Sequence, residues 1–362
     1  MFRDALCVAV MAIVSTVAAE GSAQIDPRAA FAEQAGWDAL AAGRAHQAAV
    51  AFRDALGADP KNARLHLGAG LAAALERRDA DARGEFETAL ALDPKLVRAR
   101  AELGQILYRT GDVTAAIRTY EILVDEAPDN AAVRATLERW RRETELHDRM
   151  RQTIDTHFTV SFEGPAEAAL ATEALASLDR AYWRIGQLLG TFPERPIAVV
   201  LYTAEQFRDI TRSPSWAAGA YDGTIRVPMR GALENQAELD RVLAHEFTHA
   251  VVRDLSRRGV PTWLNEGLAS ALEGDSLSWA ETVAAKADPI PLRALASGFG
   301  RFNGAQAQVA YATSALTVGR MLAEAGGPAI VNLLRDLGEG QDFDTAFLHR
   351  MQRSVADFQP VR

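Results

Sequence analysis

The segment RVLAHEFTHAVV, residues 241–252, places three titratable side chains within an apolar run. His245 and His249 are four residues apart, and Glu246 directly follows the first histidine. On an α-helix this spacing turns the second imidazole only about 40° from the first, so both project from one face. Burying three such groups is unfavourable unless something pairs with them. Two neutral imidazoles so placed predict zinc as the partner, with Glu246 close enough to handle the proton of a water molecule.

A catalytic zinc site uses three protein ligands and keeps its fourth position open, so a third ligand is needed. The segment VPTWLNEGLAS, residues 260–270, provides it. Gly259 is predicted to cap the first helix, and Pro261 is predicted to start the next one. A returning helix brings Glu266 back towards the histidines after about one turn. The sequence therefore predicts a zinc site formed by His245, His249 and Glu266.

The elements before this site include an internal repeat of 34 residues over positions 27–128. Four classes of position recur in register: Gly36, Gly70 and Gly104; Ala48, Ala82 and Ala116; Phe52, Phe86 and Tyr120; Pro60, Pro94 and Pro128. This pattern resembles the tetratricopeptide repeat, in which each unit is a helical hairpin. The small residues let helices approach, and the aromatic residue fills the seam between repeats. A further helix at about 130–151 is predicted to cap the stack, which gives an all-α region over 27–151.

The sequence pattern then changes and predicts a small sheet followed by helices, an α+β arrangement. The segment 218–228 contains an Asp-Gly turn signal and ends in proline, which favours an edge strand. From Leu233 on, the pattern is helical. The other predicted elements are strands at 157–164 and 195–202 and helices at 167–190 and 204–211. The predicted domain covers 155–340 and is followed by a helical tail at 341–362.

HEFTH followed by WLNEGLA resembles the gluzincin group of zinc metallopeptidases, and in particular the peptidase MA-like domains found behind tetratricopeptide repeats. The resemblance implies a zincin-like fold, the same three zinc ligands, and Glu246 as the general base. It also implies that the segment YDGTIRVP, residues 221–228, holds an extended peptide by backbone pairing. Tyr311 occupies a place similar to that of a recurrent tyrosine in these peptidases. It is therefore a candidate donor to the oxyanion, with packing in the core as the alternative.

Two departures limit what this resemblance implies. Only sixteen residues separate His249 from Glu266, fewer than in thermolysin-like or aminopeptidase-type members. No counterpart of the aminopeptidase signature for a free N-terminus is present, so endopeptidase activity is the default expectation. Hydrogen-bond partners for the two histidines are expected, and three residues remain open for this role. These candidates are Asn265, Ser270 and Asp254.

The composition sets further bounds on the function. A net charge of −9 argues against nucleic acid or an anionic membrane as a partner. Residues 1–23 resemble a cleaved signal peptide, with an uncleaved membrane anchor as the alternative. The single cysteine, Cys7, lies within this segment, so the mature chain would contain none. The expected location is the periplasm or the exterior, with no stable membrane span after cleavage.

Two functions are consistent with these patterns. The first is an exported zinc peptidase that hydrolyses peptide or protein substrates, with the repeat groove binding substrate or a protein partner. The second is a binding scaffold in which the peptidase domain is vestigial or weakly active. The remaining histidines show no ligand spacing and are expected to be structural or exposed: His46, His66, His147, His157 and His349.

Overall fold

The computed structural model describes residues 27–163, 168–203, 205–207, 220–221, 223–228, 236–256, 259–274, 276–300 and 302–359. The predicted signal peptide at 1–23 lies outside these residues, as does most of the predicted helix at 204–211. The described chain divides into two compact units, with the boundary between Glu145 and Leu146. In the described part, no helix is long and apolar enough to cross a membrane.

The first unit consists of paired helices, as the 34-residue period predicts. Its described helices are α1 (Pro27–Ala41), α2 (Ala45–Ala58), α3 (Ala63–Leu75), α4 (Asp79–Leu92), α5 (Val97–Arg109), α6 (Val113–Glu126) and α7 (Ala131–His147). Helix α7 follows the third hairpin, and its Trp140 is fully buried. The predicted end of this helix at 151 is wrong, because the helix stops at His147 and Arg151 begins a strand.

Glycines and aromatic rings make the contacts between these helices. A Cβ atom added at Gly36 would lie 2.8 Å from the ring of Phe52, and one at Gly70 would lie 2.5 Å from the ring of Phe86. Gly68, in the second repeat, also faces the ring of Phe52 in the first. Both rings are fully buried. The predicted roles of the repeated glycines and aromatics, close helix approach and filling of the seam, are therefore seen directly.

The second unit contains a mixed sheet. The described strands are β1 (Arg151–Ile154), β2 (Phe158–Phe162), β3 (Ile197–Tyr202), β4 (Ala220–Tyr221) and β5 (Ile225–Pro228), in the order β1-β2-β3-β5-β4. The β2–β3 and β3–β5 pairs are parallel, and the two outer pairs are antiparallel. The prediction of an edge position for β5 is wrong, because β4 covers it. Pro228 lies past the two described residues of β5 that pair with β4, and its register partner is Tyr202 of β3.

Helices cover one face of this sheet. Helix α8 (Ala168–Leu189) and a helix at Gln236–Leu255, here called the motif helix, share a core with side chains from β2, β3 and β5. The helix at Thr262–Leu272 is called the glutamate helix, and the helix at Gly304–Ala325 the tyrosine helix. The other described helices are Ser278–Ala284, Gly327–Gly338, Phe343–Met351 and Val355–Phe358, with a 3₁₀ turn at Leu292–Leu295.

The last two helices are part of the same core. Phe347 and Phe358 are both almost fully buried in it, with ring centroids 5.6 Å apart. The segment predicted as a helical tail at 341–362 is helical in most of its described part, and it packs into the core of the second unit. Its apolar residues are spaced for helix packing, and the core of the second unit is where they pack.

Candidate active site

The motif helix is anchored by its apolar face. Seven of its side chains are buried in the core of the second unit: Leu239, Val242, Leu243, Ala244, Phe247, Val251 and Val252. The imidazoles lie on another face, with His245 18% exposed and His249 12% exposed at the side chain. Their ring centroids are 4.9 Å apart, as expected for residues one turn apart. Core packing thus fixes the helix, and the helix aims both rings in one direction.

The glutamate helix brings the third side chain to the histidines. It begins after Pro261, whose carbonyl accepts hydrogen bonds from the first turn. Gly259 is not the cap of the motif helix, which already ends at Leu255. Glu266 lies one turn into the glutamate helix, and its Oε2 atom is 3.8 Å from Nε2 of His245 and 3.8 Å from Nε2 of His249. The structure therefore brings the three predicted ligands together.

The donor set fits a zinc ion. One ligand atom from each of His245, His249 and Glu266 lies within 4.8 Å of the other two, and all three side chains are partly buried. Zinc bonds of about 2.0–2.2 Å in tetrahedral geometry place neighbouring ligand atoms about 3.3 Å apart. The two distances from Oε2 of Glu266, 3.8 Å each, exceed this value by about half an ångström. In the described ranges this is the only group of three such residues that converges to this extent.

Hydrogen bonds to the other ring nitrogens select the required tautomers. Nδ1 of His245 lies 2.7 Å from Oε2 of Glu273, and Nδ1 of His249 lies 3.1 Å from Oδ1 of Asn265. Both oxygens are acceptors, so each Nδ1 carries the proton. Each Nε2 is then left with a free lone pair directed towards Glu266. Two imidazoles in this state are ready to bind a metal ion.

The sequence predicted one of these two hydrogen-bond partners and missed the other. Asn265 was among the three candidates, while Ser270 and Asp254 make no described hydrogen bond to either histidine. Sequence reasoning missed Glu273. The available signal was its position seven residues after Glu266, which is two helical turns and therefore the same face. Arg184 of α8 donates to the carbonyl of Leu272 at 2.7 Å and so fixes the chain directly before Glu273.

Two family models match the chain, one in each unit. The model of the peptidase MA superfamily matches residues 177–355, and the tetratricopeptide repeat model matches residues 34–96 and 80–131. The chain carries tetratricopeptide repeats followed by a peptidase MA superfamily domain. The peptidase MA domain thus contains the motif, glutamate and tyrosine helices, and with them every predicted site residue.

Solved structures that match the chain are domains of tetratricopeptide repeats. The first such domain of Spaghetti (RPAP3), bound to an HSP90 peptide, is 19% identical, with 34% of this chain and 99% of that chain covered and a TM-score of 0.33. The domain of Arabidopsis OM64 is 16% identical, covers 32% of this chain and 96% of its own, and has a TM-score of 0.31. A comparison with curated proteins gave no match.

A glycine allows the tyrosine helix to approach the predicted metal ligands of the peptidase MA domain. Gly267 directly follows Glu266, and a Cβ atom at this position would lie 2.6 Å from the carbonyl oxygen of Ser314. Since that oxygen belongs to the backbone, it cannot swing aside as a flexible side chain would. The close crossing places the first half of the tyrosine helix, including Tyr311, beside the glutamate helix.

Tyr311 lies within the electrostatic field of the site. Burial raises the pKa of its hydroxyl above the usual value, and three nearby carboxylates add to this shift. These carboxylates belong to Glu266, Glu246 and Glu273. The ring also packs edge-on against Phe299, with centroids 5.0 Å apart. Tyr311 therefore packs in the core and also presents a protonated hydroxyl near the acidic groups. Core packing and a role as an oxyanion donor are thus compatible for this residue.

Three further predictions from the sequence concern Glu246, the strands expected to hold a peptide, and the remaining histidines. Glu246 is only 6% exposed and lies next to His245 on the motif helix. The motif helix also lies against β4 and β5, the strands that include most of the segment expected to hold a peptide. Of the remaining histidines, His147 bonds to the hydroxyl of Tyr202 and His157 stacks on Tyr182. Those contacts are structural, as expected.

Proposed function

We propose that the peptidase MA domain is a zinc-dependent peptidase. The observation that carries the proposal is the convergence of His245, His249 and Glu266, with both Nε2 atoms at 3.8 Å from one carboxylate oxygen. Three ligands of this chemistry, partly buried, suit a catalytic ion that keeps one coordination position open. The match of residues 177–355 to a superfamily of peptidases supports the same reaction class.

The reaction assigns a separate task to Glu246. When bound, zinc polarises the scissile carbonyl and lowers the pKa of a water molecule. Glu246 is not needed as a ligand. It is buried beside His245, so its carboxylate is shielded from bulk solvent. It takes the proton of the attacking water and delivers it to the leaving amine. Proton transfer of this kind requires hydrogen-bond reach, and the helix turns Glu246 only about 60° from His249, towards the side of the ligands.

Tyr311 supplies the donor for the negative charge that develops on the carbonyl oxygen. Its raised pKa keeps the hydroxyl protonated at neutral pH, so it donates a hydrogen bond rather than adding a further negative charge. A donor oriented in advance and shielded from water stabilises such charge far more than one in solvent. The packing against Phe299 holds the ring in place for this purpose.

The remaining parts of the proposal concern substrate and location. The domain acts as an endopeptidase of the gluzincin type, and the repeat unit binds either the polypeptide substrate or a protein partner. The matches to the repeat family support such a binding role for residues 34–131. Residues 1–23 direct export to the periplasm or the exterior and are then removed. Sequencing the N-terminus of the mature protein from the exported fraction tests that step, and an N-terminus at Met1 would contradict it.

The direct test combines metal analysis with peptide-library cleavage. The parent protein and a Glu246→Gln variant are both expected to bind one zinc ion, because Glu246 is not a ligand. Cleavage by the variant should fall by about 10²–10⁴-fold, the usual contribution of a general base. Glu121→Gln, at an exposed residue paired with Arg141 in the repeat unit, is the matched control and should leave cleavage unchanged.

Two outcomes would contradict the proposal. One is purified parent protein without stoichiometric zinc. The other is a Glu246→Gln variant that cleaves as well as the parent. Stoichiometric zinc without any cleavage in the parent would instead favour the scaffold function, in which the repeats carry the biological role.

A further inference from the structure

The carboxylate of Glu273 has a different partner on each oxygen. Oε2 accepts the hydrogen bond from Nδ1 of His245 at 2.7 Å, and Oε1 lies 3.1 Å from Nη1 of Arg241. The Glu273 side chain is only 11% exposed, so water competes weakly for either oxygen. A carboxylate held at both oxygens has its orientation fixed. This matters here because the direction of Oε2 sets both the tautomer and the ring plane of His245.

Arg241 is itself held in place by a second carboxylate. Its Nε donates to Glu238 at 3.0 Å, and its Nη2 donates to the other oxygen of Glu238 at 2.6 Å. This is a bidentate pair, the geometry that the planar guanidinium group favours. Glu238, Arg241 and His245 follow one another at spacings of three and four on the motif helix, and so share one face. A continuous chain of contacts therefore runs from Glu238 through Arg241 and Glu273 to His245.

We propose that Arg241 is a positioning residue of the metal site, acting through Glu273 on the ligand His245. The proposal rests on the proposed function, since it assumes that the three ligands bind zinc. The guanidinium group of Arg241, a planar fork of N–H donors, contacts two carboxylates at once. Glu238 fixes the orientation of this fork, and the fork fixes the orientation of Glu273. Loss of the fork leaves Glu273 with one partner and more rotamers. The His245 ring must then lose more conformational freedom when it binds the ion.

The charge of Arg241 acts in the opposite direction. A cation near the site disfavours binding of a second cation, so a purely electrostatic role predicts tighter zinc binding when Arg241 is removed. Glu238 offsets this charge in the parent protein. Removing both groups together therefore leaves the local net charge unchanged and isolates the geometric effect. Arg241→Lys tests the same point differently, because it keeps the charge but lacks the planar fork.

The experiment measures zinc affinity by competition with a chromophoric chelator, without any assay of activity. We expect the double variant Arg241→Ala/Glu238→Gln to bind zinc roughly 3- to 10-fold more weakly than the parent. This range lies below the 10–100-fold loss typical of residues bonded directly to a ligand. Arg241→Lys should lose most of the same factor. The control is Arg180→Ala. Arg180 also pairs with the motif helix, at Asp240, but it has no described bond to the three ligands.

The outcomes separate the two proposals. Zinc binding by both Arg241 variants at the affinity of the parent overturns the role of Arg241 and leaves the zinc peptidase intact. A parent protein that binds no zinc overturns the proposed function and this inference together. An equal loss in Arg180→Ala also overturns the inference, because it would show a general effect on the helix. If the double variant fails to fold, Arg241→Lys, which keeps the charge, decides the question.

Discussion

The repeat unit and the peptidase MA domain both bring helices together at glycines, but with different consequences. In the repeat unit, Gly36 and Gly70 each receive an aromatic ring, and the contact recurs with the 34-residue period. In the peptidase MA domain, Gly267 receives a backbone carbonyl, next to a predicted zinc ligand. The repeated contact is a packing device that stabilises a stack. The contact at Gly267 positions groups of the predicted site, so glycine serves stability in the repeat unit and, at this position, geometry in the peptidase MA domain.

This comparison predicts that changes in the two units affect different measurements, and the largest effect is expected at a ligand. Glu266→Gln should weaken zinc binding by on the order of 10²–10³-fold. The basis is the apparent zinc-binding free energy of zinc-finger peptides, about 10–16 kcal/mol for four ligands, which corresponds to about 3 kcal/mol per ligand. Chelator competition measures the change. The same substitution at Glu121 of the repeat unit should leave zinc affinity unaltered, and equal losses at both positions would break the distinction between the units.

The second prediction compares two buried tyrosines. Tyr311→Phe should lower kcat by about 10²-fold at unchanged zinc content, as expected for loss of one oxyanion donor. Tyr120 of the repeat unit is also buried, and burial raises the pKa of its hydroxyl to about 12. Because its hydroxyl accepts from Gln105 and donates to the carbonyl of Ala101, both within the repeat unit, Tyr120→Phe should change the free energy of unfolding and leave kcat untouched. Steady-state kinetics decide the matter, and an unchanged kcat in Tyr311→Phe would remove this residue from the mechanism.

The third prediction concerns Glu273, the acceptor that the sequence did not reveal. Glu273→Gln removes the negative charge that faces Nδ1 of His245 and weakens the contact with Arg241. Zinc affinity should fall about 10–100-fold, the range for residues bonded directly to a metal ligand. Glu281→Gln, on the helix that follows, is a charge-matched control expected to have no effect. Parent-like zinc affinity in Glu273→Gln would mean that the His245 ring is held by packing alone.

The units also differ in how far the sequence predicts them. The repeats follow from period alone, since four position classes in register specify the helical hairpins. The three converging side chains follow from helix geometry, because spacings of four residues and one turn leave little freedom. The strand order could not be obtained in this way: nothing local in residues 225–228 tells that β4 covers them. The contacts of Glu273 also depend on a helix crossing, which is a tertiary property.

The fourth prediction tests the two kinds of glycine contact directly. Gly70→Ala should lower the free energy of unfolding by about 1–2 kcal/mol, since overpacking costs about 1–3 kcal/mol and alanine recovers up to about 1 kcal/mol of helix propensity. Zinc affinity should stay constant. Gly267→Ala should cost a similar amount of stability and also lower kcat, because the methyl group pushes the tyrosine helix away. A Gly267→Ala variant with unchanged kcat would show that Tyr311 does not depend on this crossing.

The smallest effect is expected at Asn265, the amide counterpart of Glu273. Its bond to Nδ1 of His249 is longer, 3.1 Å against 2.7 Å, and lacks a charge. A neutral hydrogen bond is worth roughly half of a charge-assisted one, so Asn265→Ala should weaken zinc binding by only about 3- to 10-fold. Asn265→Asp gives both histidines a carboxylate partner and should bind zinc more tightly than the parent. If the aspartate variant bound more weakly than the alanine variant, the different partners of the two rings would have to reflect packing rather than tuning of the ligands.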